Sequence, residues 1–347
     1  MTPRIELPSS PRRILIIKPS ALGDIVHTLP ILKRLRQRWP EAHIAWLVGS
    51  AFANLIDGHP LLNETLAFDR KRYSRSWRNP AALVALMRFL RGLSDRNDEL
   101  VIDLQGLLRS GWLSGATEAP VRVGFANARE LAHLFYTHHV PIESMQQHAV
   151  DRYLAIAEAL GCGRGPVEFE FHVEPDDQRH VAAQVETLGA YAVLLPGTNW
   201  ITKRWPVEHF AALVRPLRER FGLSCVVAGG PDAVPLAAQI PGAANLTGQT
   251  TLRQLVALLR RAALVIANDS GPMHIAAALN RPLVTIFGPT NPLRTGPYGR
   301  DDSVVRLDIP CSPCYSRKCS HISCMKWLNI EPVLETAGKQ MESKNEG

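Results

Sequence analysis

The sequence predicts an α/β protein built from two doubly wound parallel sheets. Three observations carry this. Short continuous apolar runs, such as residues 14–17 and 264–267, recur along the chain, as strands buried on both faces require. The run after 263 parses as strand, turn, helix and next strand, and the same alternation recurs elsewhere. The alternation pauses at residues 161–175, where Gly, Pro and acids gather, and then begins again. At 347 residues the chain has room for two domains, each with its own core.

Taken in order, residues 1–11 are rich in Pro and Ser and read as a loose arm. The first strand covers 13–18, and a turn leads from it into a helix that runs to about Arg38. Strands follow at 43–48, 65–68, 99–104 and 121–125, with a helix over 81–93. A helix over 150–160 closes a first domain, residues 12–165. An amphipathic helix over 175–188 opens the second domain, residues 176–330. Its strands are expected at 191–195, 224–228, 263–267 and 283–287, and its helices at 207–221, 252–260 and 273–279. Ser270 stands where a helix cap belongs, Pro272 sits in the first turn, and Asn280 ends that helix. Residues 331–347 read as a C-terminal helix with a loose tail after Ser343.

Composition narrows the class. Hydrophobic content of 46% and charged content of 20% fit a globular protein. The net charge of +7 suggests an anionic partner: a nucleic acid, an acidic membrane surface or a phosphorylated substrate. The run 14–17 is too short for a signal peptide, and the apolar stretch 81–90 is broken by Arg88, so a cytoplasmic location is expected. Four of the six cysteines fall between 311 and 324, whereas a secreted disulfide framework would spread them.

Several short segments can carry chemistry. Asn268, Asp269, Ser270 and Gly271 turn the chain from a strand into a helix, and the free N–H groups there favour a phosphate or pyrophosphate. Asp269 either structures that turn or holds a sugar hydroxyl, and His274 on its own reads as a packed histidine. Gly23 and Asp24 occupy the turn after the first strand, where Asp24 is either an ordinary helix-start aspartate or a carboxylate held ionised by the helix N-terminus. His27, one turn on, reads as packed. The Gly- and Thr-rich loop 196–206 projects Lys203 and Arg204 near a helix start, where a Lys-Arg pair is most often a solvated basic loop. Gly229 and Gly230, followed by Asp232, form a plain turn or let a ligand approach the backbone. Residues 70–78 hold five basic side chains and no acid, including Arg70, Lys71 and Arg72. Cys311, Cys314, Cys319 and Cys324 begin as one half of a metal knuckle but continue irregularly, so they are packed thiols or a candidate structural metal site. The absence of Gly-x-Gly-x-x-Gly after any strand argues against a dinucleotide oxidoreductase.

Asn268-Asp-Ser-Gly-Pro-Met-His274 with Phe287-Gly-Pro-Thr290, and Lys18-Pro-Ser-Ala-Leu-Gly-Asp-Ile-Val-His-Thr-Leu-Pro30 near the N-terminus, resemble motifs of glycosyltransferase family 9, the ADP-heptose:lipopolysaccharide heptosyltransferases. The loop with Lys203-Arg-Trp-Pro206 and the tail with Cys311-Ser-Pro-Cys314 are also similar, so the resemblance spans both halves. It implies a GT-B fold, two Rossmann-like domains facing across a cleft. It further implies heptose transfer from ADP-heptose to a hydroxyl of the lipopolysaccharide inner core, by an inverting mechanism that requires no cofactor. By resemblance Asp24 would be the general base. Thr198, Thr202, Lys203, Asp232, Asp269, Ser270, Gly271 and His274 would bind the donor, and Lys18, Arg70, Lys71 and Arg72 the anionic acceptor. Relatives often place a Glu after the Gly229-Gly230 turn to hold the ribose; here Ala233 follows Asp232, so that contact is absent or moves to Asp232. The same family includes protein-heptosylating members with a metal at a Cys-rich tail. Transfer to protein Ser or Thr, and sugar-nucleotide epimerisation, are the alternative activities. Peripheral contact with the inner face of the inner membrane is expected, and no nucleic acid.

Overall fold

The computed structural model describes residues 4–75, 77–144 and 146–345, with side chains for all but 344 and 345. The chain divides into two compact units, Met1–His172 and Val173–Gly347.

The first unit holds a parallel sheet of six strands: β1 (Arg13–Ile17), β2 (His43–Gly49), β3 (Glu64–Phe68), β4 (Leu100–Asp103), β5 (Val121–Phe125) and β6 (His138–Val140), in the order β3-β2-β1-β4-β5-β6. The second unit repeats the plan with β7 (Tyr191–Leu195), β8 (Ser224–Val227), β9 (Ala244–Asn245), β10 (Leu264–Asn268), β11 (Leu283–Phe287) and β12 (Val304–Arg306), in the order β12-β11-β10-β7-β8-β9. Both orders are doubly wound, which gives the chain the two-unit α/β architecture expected. The chain reverses direction across each sheet between β1 and β4 and between β7 and β10. At that reversal the loops diverge and leave a crevice at the carboxyl ends of the strands.

The central strands are apolar throughout because helices cover both faces. Residues 14–17 of β1 and 264–267 of β10 are fully buried. In the second unit the helix Val207–Phe221 lays Phe210, Leu213 and Leu217 on Ala192, Leu194, Cys225 and Val227 of the sheet. In the first unit the helix Leu22–Arg38 packs along the helix Ala149–Ala159. Its Arg34 donates to the carbonyls of Gly163 and Gly165, both at 2.6 Å, and so fastens the end of this unit.

Several elements differ from expectation. Strands β6, β9 and β12 are short outer or edge pieces without a continuous apolar run, so periodicity does not reveal them. The helix expected over 175–188 ends at Val185 and tightens into a 3₁₀ turn, Glu186–Leu188, before Gly189 with φ of 64°. Residues 4–11 carry no helix or strand, yet Ile5 N–H donates to the Ala159 carbonyl at 2.8 Å, so this stretch of the arm is tied down. Residues 1–3 lie outside the described residues. At the other end the helix Glu331–Asn345 continues past Ser343, where a loose tail was expected, because Val333, Leu334 and Ala337 are buried against the second core. Glu346 and Gly347 lie outside the described residues. No helix among the described residues is long and apolar enough to cross a membrane.

Gly124 in β5 marks a place with no room for a side chain. A Cβ there would lie 2.2 Å from the ring of Tyr136, whose hydroxyl is held by Asp103 at 2.6 Å. Gly124→Ala should lower the unfolding free energy by about 1–3 kcal/mol. Urea denaturation checks this; an unchanged midpoint would mean that the Tyr136 ring yields without cost.

Candidate active site

In the second unit, the end of β10 organises the loops around it. Asn268 is fully buried; its side-chain amide donates to the Pro196 carbonyl at 2.8 Å and accepts from Trp205 N–H at 3.2 Å. Both ends of the loop after β7 are therefore pinned to one side chain. Asp269 extends the junction. Its carboxylate meets Lys203 Nζ at 2.6 Å and accepts from the Thr290 hydroxyl at 2.5 Å, while its carbonyl accepts from the Thr198 hydroxyl at 3.1 Å. Loops after β7, β10 and β11 thus converge on two consecutive residues.

The predicted residues fall around this junction as follows. Lys203 is 14% exposed and ends a 3₁₀ turn, Ile201–Lys203, with its ammonium 4.7 Å from the Trp200 ring. Arg204, expected to project beside it, is instead turned into the loop, where its Nε and Nη2 donate to the Thr198 carbonyl. Thr202 is buried and donates to the Ser316 carbonyl at 2.9 Å. Ser270 takes the cap position of the helix Gly271–Ala278 but makes no side-chain cap; its hydroxyl oxygen is buried without a protein partner. Gly271 opens that helix, Pro272 follows, and His274 is buried within the helix. Asp232 is exposed on the turn Pro231–Ala233, where it leans over Gly230 and Gly197, 2.8 and 3.8 Å from where their Cβ atoms would be. A side chain at Gly230 would collide with it.

In the first unit the corresponding place follows β1. Lys18 is 3% exposed; its ammonium donates to the Leu104 carbonyl at 3.0 Å and lies 3.9 Å from Asp24 Oδ1. Asp24 sits in the first turn of the helix Leu22–Arg38, three residues beyond the cap position. Its Oδ2 accepts from Ala21 N–H at 3.1 Å and its Oδ1 from the Tyr153 hydroxyl at 3.0 Å. Its side chain stays 37% exposed. Burial pushes the Lys18 ammonium below the ordinary lysine value, against the pull of Asp24 and Asp103. Burial, helped by Asp24, pushes the Tyr153 phenol well above its ordinary value, so Tyr153 remains a hydroxyl donor to the carboxylate.

Tyr153 is a site residue that sequence reasoning missed; it stands 129 residues from Asp24 on a helix whose pattern shows only packing. Asp103 and Gln105 were also missed. Asp103 is fully buried and accepts from Gln105 N–H, Gly106 N–H and the Tyr136 hydroxyl, and Gln105 accepts from Ser20 N–H at 3.3 Å. The polar end of an otherwise apolar strand, Leu100–Asp103, was the signal available.

Arg70, Lys71 and Arg72 form an exposed helical turn after β3, capped by Asp69, and the structure divides them between two cavities. Lys71 and Arg72 line one of about 430 Å³ with Arg75 and Asn79, and Arg70 lines one of about 520 Å³ with Tyr73, Arg109, Trp112 and Phe135. Ser76 of this basic segment lies outside the described residues. Of the four clustered cysteines, Cys311 and Cys314 are exposed, Cys319 is half-buried and Cys324 is buried. Among the described residues no group of three or more His, Cys, Asp or Glu side chains is arranged to hold a metal. The segment instead closes over the end of β11: Ser312 donates to the Gly288 carbonyl at 2.6 Å and Tyr315 N–H to the Pro289 carbonyl at 2.7 Å.

Comparison with known proteins gives a consistent result. The model of "Glycosyltransferase family 9 (heptosyltransferase)" matches residues 86–324. Lipopolysaccharide heptosyltransferase 1 of Pseudomonas aeruginosa is 33% identical over 318 residues, 89% of this chain and 88% of that one. The E. coli heptosyltransferase WaaC with ADP has a TM-score of 0.76 at 29% identity, covering 94% of this chain and 99% of that one. The same enzyme with ADP-2-deoxy-2-fluoro heptose gives 0.74 at 29% identity, covering 93% and 99%.

Two outcomes follow from the buried charges. Asp269→Ala strands the Lys203 ammonium and the Thr290 hydroxyl, and should cost about 3–5 kcal/mol of stability by urea denaturation. A loss within about 0.5 kcal/mol would mean the pair is solvated in practice. Burial raises the Asp103 carboxyl above its ordinary value of 3.8, despite its hydrogen bonds. Its contribution to stability is therefore full at pH below the unfolded value and is lost as pH rises through the folded one. Relative to Asp103→Asn, the wild-type protein should lose stability as pH is raised through this window; a pH-independent difference would contradict it.

Proposed function

This chain belongs to glycosyltransferase family 9 and is a glycosyltransferase, and from that premise we propose that it moves heptose from ADP-heptose to a sugar hydroxyl of the lipopolysaccharide inner core. The relatives named for that reaction, and the likeness to an enzyme solved with ADP and with an ADP-heptose analogue, support the reading. The observation that carries it is the junction at Asn268 and Asp269, where a lysine and the start of a helix sit together at the carboxyl end of a doubly wound sheet.

On this reading the second unit holds the donor. The first-turn N–H groups of Gly271 and Met273 favour the diphosphate, and the partnerless Ser270 hydroxyl has hydrogen-bonding capacity for a phosphate oxygen. The Lys203 ammonium has three donors, of which Asp269 takes one, so others remain for the leaving group. Positive groups of the protein then stabilise the departing charge, and the reaction is proposed to need no divalent metal. Thr198 and Thr202 shape this loop from within, and Asp232, Asp269 and His274 are the candidate contacts to the sugar and nucleotide.

The first unit is proposed to hold the acceptor, with Arg70, Lys71 and Arg72 offering cations to an anionic core; Lys18, expected among them, is buried against the Leu104 carbonyl and Asp24 and holds Asp24 from behind instead. Asp24 is the proposed base. It takes the proton of the acceptor hydroxyl as that oxygen bonds to the anomeric carbon and the bond to the diphosphate breaks, with inversion. The Tyr153 hydroxyl and Ala21 N–H hold its carboxylate in one orientation and leave it partly open. An acceptor anchored in lipid would place the enzyme at the inner face of the inner membrane.

Asp24→Asn should lower kcat by about 10²- to 10⁴-fold, while ADP affinity measured by calorimetry stays unchanged. Retained turnover would remove Asp24 from its role. The purified protein, supplied with ADP-heptose, should heptosylate a truncated core sugar rather than an acceptor protein, with chelator present, and the product anomer read by NMR tests the inversion.

A further inference from the structure

The helix Pro80–Ser94 has apolar side chains on two faces where its packing needs one. Its inner face suffices for the fold: Ala82 and Leu93 are buried, and the Phe89 ring lies 5.5 Å from Phe68 and 5.4 Å from Tyr73. The outer face carries Leu83, Val84 and Met87, spaced so that they share one side of the helix. These are 47%, 56% and 58% exposed, and Trp77 just before the helix is 73% exposed. An ordinary surface helix would place polar residues there. A contiguous apolar strip of this kind on one helix marks an interaction surface.

The charge around the strip selects its partner. From residue 70 to residue 91 the chain holds Arg70, Lys71, Arg72, Arg75, Arg78, Arg88 and Arg91, and no Asp or Glu. The Arg78 guanidinium lies 3.8 Å from the Trp77 ring, and Arg88 and Arg91 stand exposed on the same helix as the strip. Arg91 is loosely paired with Asp95 at 3.8 Å. Large aliphatic side chains flanked by arginines and a tryptophan suit the boundary between lipid headgroups and acyl chains. A nucleic acid would engage the arginines and leave Leu83, Val84 and Met87 in water.

We propose that Trp77 and the outer face of the helix Pro80–Ser94 seat the first unit on a bilayer surface containing anionic phospholipid, with Arg75, Arg78, Arg88 and Arg91 meeting the headgroups. This rests on the proposed function only in giving that seat a purpose, which is to bring the enzyme to an acceptor embedded in the same membrane.

The test is sedimentation of the full chain with vesicles of phosphatidylglycerol and phosphatidylethanolamine, or of phosphatidylcholine alone. Wild-type protein should bind the anionic vesicles at least about tenfold more tightly, and less tightly as salt rises. Leu83→Ser/Val84→Ser/Met87→Ser should lose about tenfold in vesicle binding, with its urea midpoint and its transfer to a soluble, acyl-free acceptor unchanged. Arg75→Glu/Arg78→Glu should weaken binding to the anionic vesicles and abolish much of its salt dependence. Vesicle binding by the triple variant equal to wild type would overturn the proposal. So would preferential binding to an RNA oligonucleotide over vesicles, or a dimer in the centrifuge that the triple variant dissociates. Vesicle binding is read without turnover, so an enzyme that fails to transfer heptose still tests the seat. A protein that transfers heptose but ignores lipid would sink the seat alone.

Discussion

A single buried asparagine does the joining in the second unit. Asn268 ends an apolar strand, and leaving its amide unsatisfied there would cost heavily. It therefore fixes both ends of the neighbouring loop, through the Pro196 carbonyl and Trp205 N–H. The rest of the candidate donor site depends on that constraint. Once the loop is pinned, Lys203 falls within 2.6 Å of Asp269, and the Thr198 hydroxyl reaches the Asp269 carbonyl. Trp205 itself is buried and anchors its indole on the Leu328 carbonyl, which couples the loop to the C-terminal segment.

The first unit solves a related problem with a charge. Its first strand is followed directly by Lys18, a buried ammonium satisfied by the Leu104 carbonyl and the nearby Asp24 carboxylate. Burying that charge is expensive unless it is paired and hydrogen-bonded. The arrangement leaves Asp24 with fixed neighbours on the protein side and solvent on the other. In both units the polar groups gather at the carboxyl ends of the strands flanking the reversal of strand order, where neighbouring loops part.

Two segments have roles that composition alone left open. The cysteine-rich stretch closes over the end of β11 through backbone and hydroxyl contacts, and Thr202 is fastened to it through the Ser316 carbonyl. The arginine-rich stretch 70–78 showed only its charge in the sequence. Set beside a helix with an exposed aliphatic strip, it becomes a surface with both a charge and an apolar component.

The sequence by itself determined the architecture and the places where chemistry could sit. Buried strands must be apolar and their turns must carry Gly, Ser, Asp or Pro, so the strand-turn-helix units around Asp24, Lys203 and Gly271 could be read locally. The family resemblance rested on those same turns. The tertiary structure alone decided which groups meet. Tyr153 reaches Asp24 across 129 residues, Thr290 reaches Asp269 from the loop after another strand, and Asn268 reaches Pro196 across 72. No periodicity records such contacts, because each is made by a single polar side chain whose partner is chosen by strand order. The short strands β6, β9 and β12 escaped for a similar reason: their place comes from pairing with a neighbour rather than from an apolar run of their own.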